Sequence, residues 1–107
     1  IYEVPLLMAN EKLDEVVLKQ LQLEVPKKLD LDNWKKFLKK FQSPKHTVNI
    51  GLVGKYVELK DSYKSISEAF VHAGASNDCK VNIEWIHSES IDAKNVKTKL
   101  GHLNGIL

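Results

Sequence analysis

Three segments of the sequence carry the pattern of β-strands and lie about one helix length apart. Residues 47–53 and 80–86 alternate apolar and polar side chains with the period of two that a strand requires. Residues 103–107 resemble the start of a third strand. A helical pattern separates each pair of strands, so the order is strand, helix, strand, helix, strand. That order predicts an α/β fold with an open parallel sheet and right-handed crossovers.

The connections between the strands show apolar residues at helical spacing. In the first connection, a cap at Asp61 or Ser62 begins a helix that stops at Gly74. The second connection, over 91–100, carries a weaker helical pattern. Because parallel sheets need both faces covered, a three-stranded sheet would be an incomplete three-layer structure. We therefore expect a truncated domain, and the first residue, Ile1 rather than Met, also indicates a piece of a longer protein.

The residues before the first strand are expected to form a mainly helical linker. Residues 1–7 are short and apolar, and Pro5 favours an extended segment that cannot be a central strand. Asn10 is a plausible cap for a first helix, which Pro26 would end.

A second linker helix is predicted from Asp30 or Asp32 to the break at Ser43-Pro44. Its apolar residues recur at the spacing of one helix face. They are Trp34, Phe37, Leu38 and Phe41, with Lys35, Lys36, Lys39 and Lys40 on the outer face. The boundary between linker and sheet is expected near Ser43-Pro44-Lys45.

Composition excludes several functional classes. The 107 residues are 43% hydrophobic, enough for one modest core, and the formal net charge of +2 is too balanced to indicate a nucleic-acid binder. The lysines of the second linker helix do not interleave with its aromatic residues, so they form no stacking platform for bases. No run of about eighteen apolar residues could span a membrane. The single cysteine, Cys79, suits a reducing cytosol and predicts a cytoplasmic protein.

The segment Gly51-Leu-Val-Gly54-Lys55-Tyr56 superficially resembles a phosphate-binding loop. It departs from the Walker pattern because Asn49 stands where the first glycine is required and Tyr56 where a magnesium-binding hydroxyl is required. We interpret Gly54 as a tight turn after the strand. Gly51 would allow another element to approach the strand closely.

Four residues are candidates for a functional cleft, because ligands of open α/β sheets bind beyond the carboxyl ends of the strands. Lys55 and Tyr56 follow the first strand, and His87 and Glu89 follow the second, with Ser88 between them. Parallel strands would bring all of them to one edge. The alternative is structural: Lys55 forms a salt bridge, and the segment from His87 forms a turn and helix cap.

Metal and nucleophile chemistry find little support in the sequence. The histidines His46, His72, His87 and His102 are scattered, and none pair at metal-ligand spacing. Cys79 begins a strand after a loop and lacks the neighbouring base that a nucleophile needs. We therefore predict no metal site and interpret Cys79 as a structural or incidental residue.

A specific resemblance to a known family covers the whole chain. Its strongest part is Val-Gly-Lys-Tyr-Val-Glu-Leu at 53–59, which resembles the opening of the glutaminase domain of CTP synthases. The other matching segments follow in the family's order. They are 1–7, Leu31-x-x-Trp34, Asp61-x-Tyr63-Lys-Ser, 68–74, 81–89 and 103–107. One departure is Asn104, where the family usually has Asp.

The resemblance implies a parent enzyme that converts UTP to CTP, using ATP, Mg²⁺ and ammonia from glutamine hydrolysis. It implies a ligase that forms a C–N bond, typically a homotetramer, with a class I glutaminase of the Cys-His-Glu type. Residues 1–8 would end the synthetase domain, 9–45 would form the interdomain linker, and 46–107 would open the glutaminase domain. The family's nucleophile lies beyond this segment, so the chain alone is expected to be inactive and to bind no cofactor.

Lys55 and Tyr56 correspond to the family's contact between the glutaminase and synthetase domains. Two other hypotheses stay open at this point. One is a free-standing flavodoxin-like module that binds or interacts with a partner. The other is a lysine-rich nucleic-acid binder, which would lose affinity steeply with salt.

Overall fold

The computed structural model describes residues 1–26 and 28–107. These residues form two compact units, Ile1–Lys39 and Lys40–Leu107. The elements are α1 (Val4–Asn10), α2 (Leu13–Gln20), α3 (Asp32–Gln42), β1 (His46–Gly54), α4 (Lys64–Ser76), β2 (Cys79–His87), α5 (Val96–Leu100) and β3 (Gly105–Ile106). Short 3₁₀ turns cover Lys60–Tyr63 and Ser88–Ser90.

The first unit begins with a helix, so the prediction of an extended segment over 1–7 was wrong. Pro5 stands in the first turn of α1, where its missing N–H would have had no helical partner. Asn10 is the last residue of α1 and not a cap. The left-handed backbone of Lys12, with φ of 55°, separates α1 from α2. Helix α2 ends at Gln20, well before the predicted stop at Pro26.

Helix α3 has the bounds that its sequence predicted. A carboxylate oxygen of Asp30 accepts a hydrogen bond from the N–H of Asp32 at 2.9 Å, and the helix ends before Ser43-Pro44. Inside the first unit its aromatic residues join Tyr2: the Tyr2 and Phe37 rings meet edge-on at 5.5 Å. Trp34 donates its indole N–H to the Tyr2 carbonyl at 2.8 Å. The lysines on the other face are exposed.

The second unit confirms the predicted α/β class and its parallel sheet. The strand order is β2-β1-β3, and both pairs of neighbours are parallel. The β1–β2 register pairs His46 with Cys79 at one end and Gly54 with His87 at the other. This register puts the apolar residues of the two strands on the same face, where Val48, Ile50 and Leu52 lie beside Val81, Ile83 and Trp85. Leu52 is the most deeply buried of them, with 2% of its surface exposed.

Two of the predicted helix bounds in this unit were wrong. Helix α4 runs past Gly74 to Ser76, and Gly74 is buried inside it. A Cβ on Gly74 would stand 2.6 Å from the carbonyl oxygen of Cys79, so the glycine serves close packing against β2 and not helix termination. The predicted caps, Asp61 and Ser62, lie in the 3₁₀ turn that precedes α4.

The second connection is helical only over α5, and the third strand is short. A carboxylate oxygen of Asp92 accepts hydrogen bonds from the N–H groups of Lys94 and Asn95, which holds the turn before α5. Leu103 lies over Gly51, where a Cβ would come within 2.5 Å of the Leu103 Cδ1. This is the close approach that Gly51 predicted. Among the described residues, no helix is both long and apolar enough to cross a membrane.

Candidate functional site at the carboxyl edge of the sheet

Strands β1 and β2 end together at one edge of the sheet, because they are parallel and Gly54 pairs with His87. The residues that follow each strand therefore emerge side by side. Lys55 and Tyr56 directly follow β1, and the 3₁₀ turn Ser88–Ser90 directly follows β2. In open parallel sheets this edge is where ligands and partners usually bind.

Tyr63 fixes the turn that leaves β1. Its hydroxyl donates a hydrogen bond to the carbonyl oxygen of Lys55. The hydroxyl can reach that carbonyl because Gly54 has no side chain: a Cβ there would lie 2.7 Å from the Tyr63 oxygen. The Tyr63 ring also meets Trp85 of β2 edge-on, with 5.8 Å between the ring centroids. The turn after β1 is thus tied both to the start of α4 and to the neighbouring strand.

Lys55 and Glu89 face each other across the edge. The Lys55 Nζ lies 3.7 Å from a carboxylate oxygen of Glu89. Their side chains are 65% and 68% exposed, so water screens the attraction. An ion pair of this kind adds little to stability and leaves both groups available to another surface.

His87 caps the 3₁₀ turn that follows β2. Its Nδ1 accepts a hydrogen bond from the N–H of Glu89 at 3.3 Å, which places the proton of a neutral ring on Nε2. The hydroxyl of Ser90 donates to the His87 carbonyl oxygen at 2.7 Å. The sequence alternative, in which the segment from His87 forms a turn and cap, therefore describes the local geometry well.

Tyr56 has an unusual backbone and an exposed ring. Its φ of 59° lies in the left-handed region, which residues with a Cβ rarely adopt. The Tyr56 carbonyl accepts a hydrogen bond from the N–H of Leu59 at 2.9 Å, which closes the turn. With 69% of its surface exposed, the side chain projects an aromatic ring toward solvent.

Sequence reasoning missed the aromatic and cationic neighbours of this edge. Tyr63 and Trp85 were not among the residues predicted for this edge, yet they support the Lys55 turn. The Nζ of Lys60 lies 5.9 Å from the centre of the Trp85 ring, within the range of a cation–π contact. The signal that could have found them was the position of Trp85 near the carboxyl end of its strand.

The arrangement suits contact with another surface more than covalent chemistry. It offers an ion pair, an exposed phenol and a tryptophan beside a lysine. Cys79 and His87 stand at opposite ends of β2, which separates them by roughly 26 Å, so they cannot form a nucleophile–base pair. Among the described residues, no cluster of three or more His, Cys, Asp or Glu side chains could hold a metal ion.

The fold and this edge define a segment of an open parallel α/β protein, built around a β-α-β unit. No family model matches the chain. The whole chain is 63% identical to a CTP synthase of Flavobacterium johnsoniae and 59% identical to one of Cytophaga hutchinsonii, covering 20% of each. It is 50% identical to a CTP synthase of Methanocaldococcus jannaschii, of which it covers 21%. All 107 residues thus match CTP synthases, and the chain spans about a fifth of the length of these relatives.

Proposed function

We propose that this chain is the part of a CTP synthase that joins its two catalytic domains. The observation that carries the proposal is the identity of 63% over all 107 residues to a protein of that name. The parent enzyme would be a ligase that converts UTP to CTP with ATP, Mg²⁺ and ammonia from glutamine. It would be a cytoplasmic homotetramer, and the free thiol of Cys79 agrees with a reducing compartment.

Within that enzyme the chain has three proposed parts. Residues 1–8 end the synthetase domain, 9–45 form the linker, and 46–107 open the glutaminase domain. The chemistry is assigned to other parts of the enzyme, so the 107-residue chain alone should release no ammonia from glutamine. Measurable release by the purified chain would overturn this assignment.

The proposed role of the carboxyl edge is contact between the domains. Lys55, Tyr56, His87 and Glu89 would face the synthetase domain. Support comes from the exposure of the Lys55–Glu89 pair and of the Tyr56 ring, which are both available for contact. Their fixed backbone also favours this role, because a surface held in place by Tyr63 loses little entropy on binding.

The test uses the full-length gene product that contains this sequence. CTP formation from UTP and ATP is measured with glutamine and, separately, with free ammonia. If neither nitrogen source yields CTP, the proposed function is wrong, and an intact mass of 12.2 kDa for the natural product would favour a free-standing module.

The contact role is tested with Lys55→Ala and Tyr56→Ala in the same enzyme. We expect both variants to lower glutamine-dependent synthesis at least several-fold more than ammonia-dependent synthesis. Lys19→Ala, on the exposed side of α2, is the control and should change neither rate. Equal rates for all three variants would remove the contact role and leave the family assignment standing.

A further inference from the structure

Strand β3 spans only two residues, Gly105–Ile106. A strand this short shows almost no alternating pattern, so the residues around it have to set its register. Its position beside β1 is nevertheless specific, because Ile50 pairs with Gly105 and Gly51 pairs with Ile106. The bonds that select this register therefore lie just outside the strand.

Asn104, directly before β3, pairs with both backbone groups of Asn49 in β1. The N–H of Asn104 donates to the Asn49 carbonyl oxygen at 2.8 Å. The side-chain Oδ1 of Asn104 accepts a hydrogen bond from the Asn49 N–H, also at 2.8 Å. The side-chain oxygen thus takes the place that a main-chain carbonyl has in a regular ladder. A residue without such an oxygen would remove one of the two bonds.

The two residues before Asn104 carry the chain across the sheet to this point. The Nε2 of His102 lies 2.8 Å from a carboxylate oxygen of Glu84 in β2. Leu103 crosses β1 at Gly51, where a Cβ would come within 2.5 Å of the Leu103 Cδ1. These contacts bring the chain to the far side of β1, and the Asn104 bonds then fix it in register.

The register decides what β3 brings to the carboxyl edge of the sheet. The N–H of Leu107 donates to the Gly51 carbonyl oxygen at 2.9 Å, and the Leu107 carbonyl accepts from the Val53 N–H at 2.8 Å. Val53 lies two residues before Lys55, so β3 reaches the edge at which ligands of open parallel sheets bind. A slip of one residue would move the end of β3 by about 3.3 Å and turn its side chains to the other face.

We propose that Asn104 is a positioning residue for the use of glutamine, acting through the register of β3. This role rests on the proposed function, in which residues 46–107 open the glutaminase domain and the carboxyl edge of its sheet receives glutamine. Asn104 lies at the opposite, amino end of β3. It therefore acts through the backbone that β3 delivers to the carboxyl edge, and not by contact with the substrate.

The experiment compares three variants of the full-length enzyme, in which kcat/KM for glutamine and for ammonia is measured separately. Asn104→Ala should lower the value for glutamine about tenfold, because small displacements of a site are costly, and leave the value for ammonia unchanged. Asn104→Asp keeps an acceptor oxygen at the same position and should retain most of the native value. Asn82→Ala is the matched control and should change neither value. The Asn82 Nδ2 bonds from β2 to the Asn49 Oδ1 at 3.2 Å, so its loss leaves both Asn49–Asn104 bonds in place.

Hydrogen exchange of the same enzymes, measured by mass spectrometry, tests the register without reference to activity. Asn104→Ala should speed exchange in peptides that contain the N–H groups of Val53 and Leu107. Asn104→Asp and Asn82→Ala should leave the exchange of these peptides close to native.

Several results would overturn the role of Asn104. They are a native value for glutamine in Asn104→Ala, an equal loss with both nitrogen sources, a failure of Asn104→Asp to retain activity, and an equal loss in Asn82→Ala. Each of them leaves the proposed function standing, provided that the native enzyme makes CTP. A native enzyme that forms no CTP from either nitrogen source would overturn the proposed function and this role together.

Discussion

The hydroxyl of Tyr63, at the end of the 3₁₀ turn before α4, donates its hydrogen bond to the backbone carbonyl of Lys55, just beyond the end of β1. This bond joins two elements at the edge where β1 and β2 both terminate. It depends on Gly54, because any side chain there would collide with the phenol oxygen. The conformation of the candidate contact surface is therefore set by a residue that does not belong to it.

Replacing Tyr63 with Phe removes this hydrogen bond and keeps the edge-on ring contact with Trp85. We expect the free energy of unfolding to fall by about 1 kcal/mol, the usual net value of one hydrogen bond. That corresponds to a drop of roughly 4–8 °C in the thermal midpoint of a domain of this size. Tyr56→Phe, on an exposed ring, is the control and should leave the midpoint unchanged.

A double-mutant cycle tests whether Gly54 is needed for this contact. Gly54→Ala in the native background forces a Cβ to within 2.7 Å of the Tyr63 oxygen and should destabilise the chain. In the Tyr63→Phe background that oxygen is gone, so the same substitution should cost clearly less. Equal costs in the two backgrounds, measured by urea denaturation, would show that the glycine matters for another reason.

Gly74→Ala should destabilise the chain, although the same change normally stabilises a helix by about 1 kcal/mol. The new Cβ would meet the Cys79 carbonyl at 2.6 Å, and crowding of this kind costs about 1–3 kcal/mol. Ala69→Gly, at an exposed position of the same helix, measures the propensity effect alone. A higher urea midpoint for Gly74→Ala would mean that α4 can move away from β2 without loss.

The sheet could be predicted from the sequence because its signals are local. Alternation over 47–53 and 80–86 specifies both the strands and their buried faces, and the helical connection between them requires parallel pairing. The role of Gly51 could also be predicted, since a glycine inside a strand indicates that another element approaches the strand closely. These features need no knowledge of distant contacts.

The errors arose where one residue type suits two different structures. Pro5 excludes a central strand but also favours the first turn of a helix. The second preference prevails, because Pro5 lies in the first turn of α1. Gly74 suits a helix end and a close packing contact, and only the position of Cys79 distinguishes them. Tyr63 was unpredictable as a support for Lys55, because that hydrogen bond depends on where the chain returns after the turn.

Asp78 should give the chain an acid-sensitive component of stability. The ammonium of Lys40, 3.2 Å away, holds the pKa of the Asp78 carboxyl below its ordinary value of 3.8, with Lys45 contributing less. Because the pKa is lower in the folded chain than in the unfolded one, this stabilisation is complete above the ordinary value. It is lost as pH falls through the folded value.

Asp78→Asn tests this prediction without disturbing the turn, because asparagine also accepts the left-handed backbone that Asp78 adopts. We expect a lower thermal midpoint than that of the native chain at neutral pH. The difference should shrink as the pH is lowered through the acid range. A difference that stays constant with pH would mean that the carboxylate charge is not what stabilises the turn.

The ion pair between Lys55 and Glu89 should contribute almost nothing to stability, despite its position at the candidate site. Its 3.7 Å separation and high exposure place it among surface pairs, whose coupling energies are typically about 0–1 kcal/mol. A double-mutant cycle with Lys55→Ala and Glu89→Ala should therefore give a coupling below about 0.5 kcal/mol, falling further with added salt. A coupling well above that value would show that the pair helps to hold the edge together. The coupling can be weak in the chain while the same substitutions lower glutamine-dependent synthesis in the full-length enzyme. That combination would mean that Lys55 and Glu89 act by contacting another surface and not by stabilising the fold.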